Sequence, residues 1–149
     1  MNPKRRQKRQ GQPRRTRGLD LYDAAEVGKL GQVQQLALDH PDSVSLCHRT
    51  TGASPLYAAA MGGHLSVVKW LASPENGGSV VAPAKTGATP LHAAAMGGHV
   101  AVVKWLAEND ALESVTARTE EKRSPLWIAA DRGHLKMAKW LAENGGWPV

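Results

Sequence analysis

Three histidines, His64, His99 and His134, are the residues whose type and spacing first suggest chemistry. Each follows a glycine, and each is separated from the next by 35 residues. Imidazole nitrogens bind zinc and transfer protons near neutral pH, so a metal site or a catalytic site has to be considered. A metal needs all its ligands about 2 Å from one centre, whereas helices of successive structural repeats pack about 8–10 Å apart. The three rings are therefore predicted to hydrogen-bond neighbouring backbone.

The other reactive residues also lack the partners that chemistry requires. Cys47 is the only cysteine and has no His-Asp pattern around it, so we predict no nucleophile. A single cysteine also excludes an internal disulfide and fits an intracellular protein. The Gly-Gly pairs at 62–63 and 97–98 are not followed by Gly-Lys-Ser/Thr, so they do not form a phosphate loop. We predict no catalytic residues, no metal and no cofactor, and a chain that is not an enzyme.

The 35-residue spacing belongs to an internal repeat that organises most of the chain. Residues 51–71 recur at 86–106 with 17 of 21 positions identical, and a third copy occupies 122–141. A weaker copy lies at 19–36. Repeats of this length indicate a stacked array, in which each unit buries its apolar faces against its neighbours. We therefore expect four repeats.

Each repeat is predicted to contain two short helices. A hydroxyl residue followed by proline, which favours a helix start, occurs at Ser54-Pro55, Thr89-Pro90 and Ser124-Pro125. Glycines that could end this first helix in a left-handed conformation lie at Gly28, Gly63, Gly98 and Gly133. A second helix with apolar residues at helical spacing follows. Trp70, Trp105 and Trp140 share one place on it and are predicted to pack between repeats.

These motifs resemble those of the ankyrin repeat family. The pattern Thr-Pro-Leu-His-x-Ala is complete at residues 89–94 and recurs with changes at 54–57 and 124–127. The resemblance covers about residues 19–144 and implies an all-α solenoid of four helix–turn–helix repeats with short hairpin loops. The repeats would span about 19–48, 49–83, 84–118 and 119–149, and His92 would brace the Thr89 cap. Lys122 replaces the hairpin glycine of the other copies, so we expect a looser tip there.

The two ends of the array differ in polarity. Gln32 and Gln35 in the first copy replace the apolar Val67 and Trp70 of the second, which predicts a polar outer face typical of a capping repeat. The last copy keeps apolar residues at Met137, Ala138 and Trp140. We therefore expect an apolar outer face at the C-terminal end, either covered by residues 147–149 or open as an interaction surface.

The basic charge is concentrated before the repeats. The chain has 19 Lys and Arg against 13 Asp and Glu, and residues 1–18 hold eight of the basic residues and no acidic one. This segment has too few apolar residues to fold and is predicted to be a disordered arm. It resembles a nuclear-localisation cluster that would bind a nuclear import receptor, it could bind nucleic-acid phosphates, or it could merely improve solubility. The basic residues are Lys4, Arg5, Arg6, Lys8, Arg9, Arg14, Arg15 and Arg17.

The resemblance implies a protein-binding function for the folded part. Partners of ankyrin repeats usually contact the hairpin tips and the exposed end of the first helix, on the concave face. We therefore expect a monomeric scaffold or adaptor in the nucleus or cytoplasm that binds another protein and no membrane. The alternative is a nucleic-acid-associated protein whose arm binds phosphates while the repeats recruit a protein. The predicted partner-binding residues are Thr50, Thr51, Ala53, Met61, Gly62, Lys85, Thr86, Ala88, Met96, Gly97, Glu120, Glu121, Arg123, Asp131 and Arg132.

Overall fold

The computed structural model describes residues 17–109 and 113–146, and this part of the chain contains helices and no β-strand. The all-α prediction is therefore confirmed. Residues 1–16 of the predicted arm and the last three residues lie outside the described ranges. The helices are α1 (Arg17–Val27), α2 (Leu30–Asp39), α3 (Pro55–Gly62), α4 (Leu65–Ala72), α5 (Pro90–Gly97), α6 (Val100–Asn109), α7 (Glu113–Thr116), α8 (Pro125–Asp131) and α9 (Leu135–Leu141). A 3₁₀ turn (Pro41–Ser45) follows α2, and a final turn (Ala142–Gly146) follows α9.

The predicted caps define the first helix of each repeat. The hydroxyl of Ser54 accepts a hydrogen bond from the backbone N–H of Tyr57 at 3.1 Å, and proline occupies the first helical position. Gly63 ends α3 in a left-handed conformation at φ 77°, where its N–H reaches the carbonyls of Ala59 and Ala60. The same start and stop recur in α5. The hydroxyl cap at the start and the glycine at the end thus set the eight-residue length of α3 and α5.

The core lies along the row in which the first helices stack, in the order α1, α3, α5 and α8. Alanine pairs such as Ala59-Ala60 and Ala94-Ala95 are fully buried there, because a methyl group lets neighbouring helices approach closely. The second helices cover this row with buried aliphatic residues. Each helix therefore contacts its own repeat and the adjacent ones, which is how an array without a central core gains stability.

The expected apolar outer face at the C-terminal end is wrong in its residues. Met137 is only 1% exposed, because the side of the second helix that carries it faces the third repeat. Its counterpart in the first repeat, Gln32, is exposed, since no other repeat among the described residues packs on that side, and this agrees with the predicted polar cap. Ala138 and Trp140 are half-buried. The large apolar residues exposed in the fourth repeat are instead Trp127 (46%) and Leu135 (78%).

The hairpin tips are tied to one another along the stack. The backbone N–H of Lys85 donates to the carbonyl of Thr51 at 2.8 Å, and that of Glu120 donates to the carbonyl of Thr86 at 2.8 Å. Lys122 adopts the left-handed conformation of the glycines that it replaces, at φ 62°. Its N–H still donates across the fourth hairpin, to the Thr119 carbonyl at 2.8 Å. The fourth tip therefore keeps its turn at the cost of a strained lysine.

Candidate partner-binding face

One position at the end of each first helix forms a row across the array. It holds Glu26, Met61, Met96 and Asp131, each 35 residues after the last. The two carboxylates are exposed, whereas the two methionines are half-buried and pack against the core. We call this row, together with the hairpin tips, the concave face. Its sequence of side chains along the stack is acidic, apolar, apolar, acidic.

The turn histidines hold this row in place. Each ring lies against the carbonyl of the row residue in the preceding repeat, and the ring N–H at Nε2 donates to it. The Nε2 atoms of His64, His99 and His134 lie 2.9, 2.9 and 3.1 Å from the carbonyl oxygens of Glu26, Met61 and Met96, respectively. The prediction that these rings bond backbone is confirmed, and the bonds cross from one repeat to the next. Three such bonds fix the spacing of the row.

Two glycines lie so close to this histidine contact that a Cβ atom would be crowded there. A Cβ atom on Gly97 would lie 2.5 Å from the ring of His99 and 2.6 Å from the carbonyl oxygen of Met61. Gly62 is in the same situation against His64, with 2.7 Å to the ring. Both glycines are among the predicted partner-binding residues, and in the structure they leave room for the ring. The fourth repeat has Arg132 at this place, which is exposed.

A groove of about 310 Å³ opens on the concave face between the third and fourth repeats. Its apolar part is formed by Met96, Trp127 and Ile128, together with Tyr57 and Ala88 beneath them. Charged and polar residues surround this part, and most of them come from the fourth repeat. They are Thr86, Thr119, Glu120, Glu121, Arg123, Asp131 and Arg132.

A comparison of the sequence with known families agrees with this structure of stacked helix pairs, helix caps and cross-repeat histidine bonds. The model described as ankyrin repeats (3 copies) matches residues 21–115 and, in a second match, 81–147. The chain belongs to the ankyrin repeat family. Ankyrin repeats are general protein–protein interaction modules. The chain matches none of the curated proteins compared with it.

Neither a membrane-spanning helix nor a metal site is found among the described residues. None of the helices in the described ranges is long and apolar enough to cross a bilayer. Over the same residues, no group of three or more His, Cys, Asp and Glu side chains is arranged to hold a metal ion.

Four residues that line the groove are absent from the predicted partner-binding set, namely Tyr57, Thr119, Trp127 and Ile128, and Trp127 is the most exposed of the apolar ones. It stands where the second and third ankyrin repeats have Tyr57 and His92, which the following repeat buries. Within the described residues no repeat packs on this side of the fourth one, and the indole is exposed. The guanidinium of Arg123 lies 4.7 Å from the centre of the Trp127 ring, and its Nε lies 2.9 Å from a carboxylate oxygen of Glu121. The ion pair and the cation–π contact hold this wall of the groove in one geometry.

The predicted partner-binding residues divide into three groups. Ala53 and Ala88 are only 2% and 5% exposed, because a methyl group at the base of the hairpin packs into the core, and Ala88 also lines the groove. Met61, Gly62 and Met96 are half-buried. The remaining ten are exposed, namely Thr50, Thr51, Lys85, Thr86, Gly97, Glu120, Glu121, Arg123, Asp131 and Arg132.

His92 is a structural residue beneath the groove. Its ring is fully buried, and its Nδ1 accepts the backbone N–H of Thr89 at 3.1 Å, which confirms the predicted brace of the helix cap. The Nε2–H points at the carbonyls of Ala117 and Arg123, at 3.0 and 3.2 Å. Burial lowers the pKa of His92, although the two carbonyl hydrogen bonds act in the opposite direction. The neutral ring thus joins the third repeat to the hairpin of the fourth.

Proposed function

We propose that this ankyrin repeat protein is a non-enzymatic scaffold or adaptor that binds a protein partner at the groove between its third and fourth repeats. The observation that supports this most directly is the exposed Trp127 beside Met96 in a groove with a charged rim. Tryptophan, methionine and arginine are enriched in protein interfaces, and binding energy concentrates on such buried anchors. Elsewhere in the stack, the same helix position is covered by the next repeat.

Affinity capture from a cell extract tests this proposal. The full chain is compared with Trp127→Ala and with the control Leu135→Ala, which removes another exposed apolar side chain of the fourth repeat. A hot-spot anchor is worth about 2 kcal/mol, so Trp127→Ala is expected to weaken partner binding roughly thirtyfold. The control is expected to bind like the unaltered chain. Equal capture by all three proteins would place the binding surface elsewhere.

The basic arm supports a second part of the proposal, which is nuclear targeting. Residues 1–18 hold eight basic and no acidic residues, and five of the basic ones lie within Lys4–Arg9. Fusion of residues 1–18 to a fluorescent reporter is expected to raise its nuclear fraction, and replacement of the five basic residues by glutamine is expected to abolish that increase. An unchanged distribution would refute nuclear targeting.

The alternative function, phosphate binding by the arm, predicts a different behaviour. Binding that neutralises phosphates releases counterions and weakens steeply as salt is raised. Binding of the full chain to a single-stranded oligonucleotide is therefore expected to fall steeply between low and physiological salt if the arm is a nucleic-acid contact. Deletion of residues 1–18 would remove that binding. Absence of binding at low salt would leave nuclear targeting as the proposed role of the arm.

A further inference from the structure

We infer that the partner segment recognised by the concave face is basic at both ends and apolar in the middle. This inference rests on the proposed function and adds the chemistry of the partner to it. It comes from the order of side chains along the row, where Glu26 and Asp131 flank Met61 and Met96. An apolar centre between two basic positions complements this order in both charge and polarity.

The two ends of the row carry carboxylates that are available to a partner. Within the part of the chain that the structure describes, neither Glu26 nor Asp131 forms a salt bridge, and both are exposed. The negative charge at the first end of the row acts on Tyr22, whose pKa is raised by burial and, to a lesser degree, by Glu26 and Asp23. At the other end, Glu120 adds a second exposed carboxylate at the rim of the groove.

The nearby arginines leave this charge largely intact. Arg123 is already occupied by Glu121 and by the Trp127 ring. Arg132 is the remaining cation at the groove, against the carboxylates of Glu120 and Asp131. Among the residues that line the groove, an excess of one negative charge therefore remains once the internal ion pair is set aside.

The second helices carry a row of lysines. Lys69, Lys104 and Lys139 occupy one position on successive second helices, and all three are exposed. A basic segment is repelled from that stripe of lysines and attracted to the carboxylates of the row.

The middle of the row sets the spacing of the apolar anchors. Met61 and Met96 are half-buried, and their carbonyls are held by the histidines of the following repeats. Helices of adjacent repeats pack about 8–10 Å apart, so two partner side chains have to be separated by that distance. This corresponds to about three residues in a polyproline II segment, which has three residues per turn, and to about two turns or seven residues in a helix. Methionine is adaptable enough to accept several aliphatic or aromatic side chains.

The chain's own arm is a competing occupant that fits only half of this pattern. Residues 1–18 supply eight positive charges, but after Met1 they include no large apolar residue. Such a segment could contact the carboxylates and would leave the two methionines without an apolar partner. We therefore assign the row to a separate protein, and the arm becomes an outcome of the test.

Selection of random 20-residue peptides displayed on phage, with the full chain as the target, tests the inference. The expected sequences have Lys or Arg on both sides of two apolar residues that are three or seven apart. A chosen peptide is then measured against Glu26→Lys with Asp131→Lys, and against the control Glu108→Lys with Glu143→Lys, which makes the same charge change on exposed residues of the second-helix region. Reversal in the row is expected to weaken binding about tenfold, since each exposed pair is modest, and the control is expected to change it little.

Each result has a distinct meaning. Selected peptides without basic flanks, or equal affinity for the row variant and its control, would overturn the inference while leaving a partner-binding groove in place. Displacement of the peptide by a synthetic copy of residues 1–18 would overturn it in favour of the arm. Three proteins are compared for the proposed function itself: the double variant Met61→Ala with Met96→Ala, the variant Trp127→Ala and the unaltered chain. If all three bind every selected peptide equally well, the proposed function is refuted. Lysine near a helix C-terminus is favourable, so the row variant is expected to fold.

Discussion

Acidification is expected to destabilise the array through His92. The ring is fully buried and neutral, with Nδ1 accepting from Thr89 and Nε2 donating between two carbonyls. A second proton would have to enter at Nδ1, where it would remove the acceptor of the Thr89 N–H and leave a charge in the core. This is the physical reason why burial lowers the pKa of His92 below its ordinary value.

The direction and size of the effect follow from proton linkage. The unfolded chain takes up a proton on His92 below about pH 6.5, whereas the folded chain resists it until the pH approaches the lowered pKa. The stabilisation that the neutral ring contributes is therefore complete above about pH 6.5, and it is lost as the pH falls from there to the lowered pKa. One proton changes the free energy of unfolding by at most about 1.4 kcal/mol per pH unit.

Urea denaturation followed by circular dichroism at pH 7, 6 and 5 measures this dependence. His92→Gln is expected to be less stable than the unaltered chain at pH 7, because it loses part of the buried hydrogen-bond set, but to show a flatter decline toward pH 5. The control is His40→Gln, since His40 is half-buried and its side chain has no hydrogen bond within the described residues. It is expected to retain the decline. Equal slopes for all three proteins would show that His92 takes up its proton as easily folded as unfolded, and would refute the reasoning.

Three further predictions concern the hairpin, the histidine contact and the methionine row. Lys122→Gly is expected to raise the free energy of unfolding by about 1 kcal/mol, because the left-handed φ of 62° is strained for lysine; no gain in urea denaturation would contradict it. Gly97→Ala is expected to lower the free energy of unfolding by roughly 1–3 kcal/mol, since its Cβ would meet the ring of His99 at 2.5 Å. The control Gly31→Ala, with nothing within 4 Å, is expected to cost no stability. Met61→Ala with Met96→Ala is expected to lower the free energy of unfolding by about 1–2 kcal/mol, less than for fully buried methionines, and to abolish peptide binding. A loss of about 4 kcal/mol or more would place both residues in the core.

Local chemistry was enough to predict the fold. Pairs such as Ser54-Pro55 start a helix through their own backbone and hydroxyl, and a glycine such as Gly63 ends it, without reference to distant residues. The 35-residue repeat then specifies which helices are neighbours, because equivalent units stack on one another. The resemblance to the ankyrin family also predicted the role of His92, whose cap partner lies three residues away.

The side of a helix that faces a neighbour could not be predicted in the same way. Met137 and Gln32 share one position, and the sequence alone does not say whether that position looks toward the preceding or the following repeat. The structure shows that it looks back, so the position is exposed in the first repeat and buried in the fourth. The burial of Ala53 and Ala88 could not be predicted for a related reason, because residues at a hairpin base and at its tip are neighbours in sequence but differ in burial.

The candidate site lies where the repeats stop being alike, and stacking explains why. Positions that serve the contact between repeats are small or complete a hydrogen bond, as Gly97 and His92 do. Within the described residues no repeat packs on the far side of the fourth one, so Trp127 does not have to complete a contact of the kind that His92 makes. There Trp127, Asp131 and Arg132 replace side chains that the internal repeats use for packing or spacing, and all three line the groove. The departures from the repeat pattern are therefore the best signal in this sequence for residues that contact another molecule.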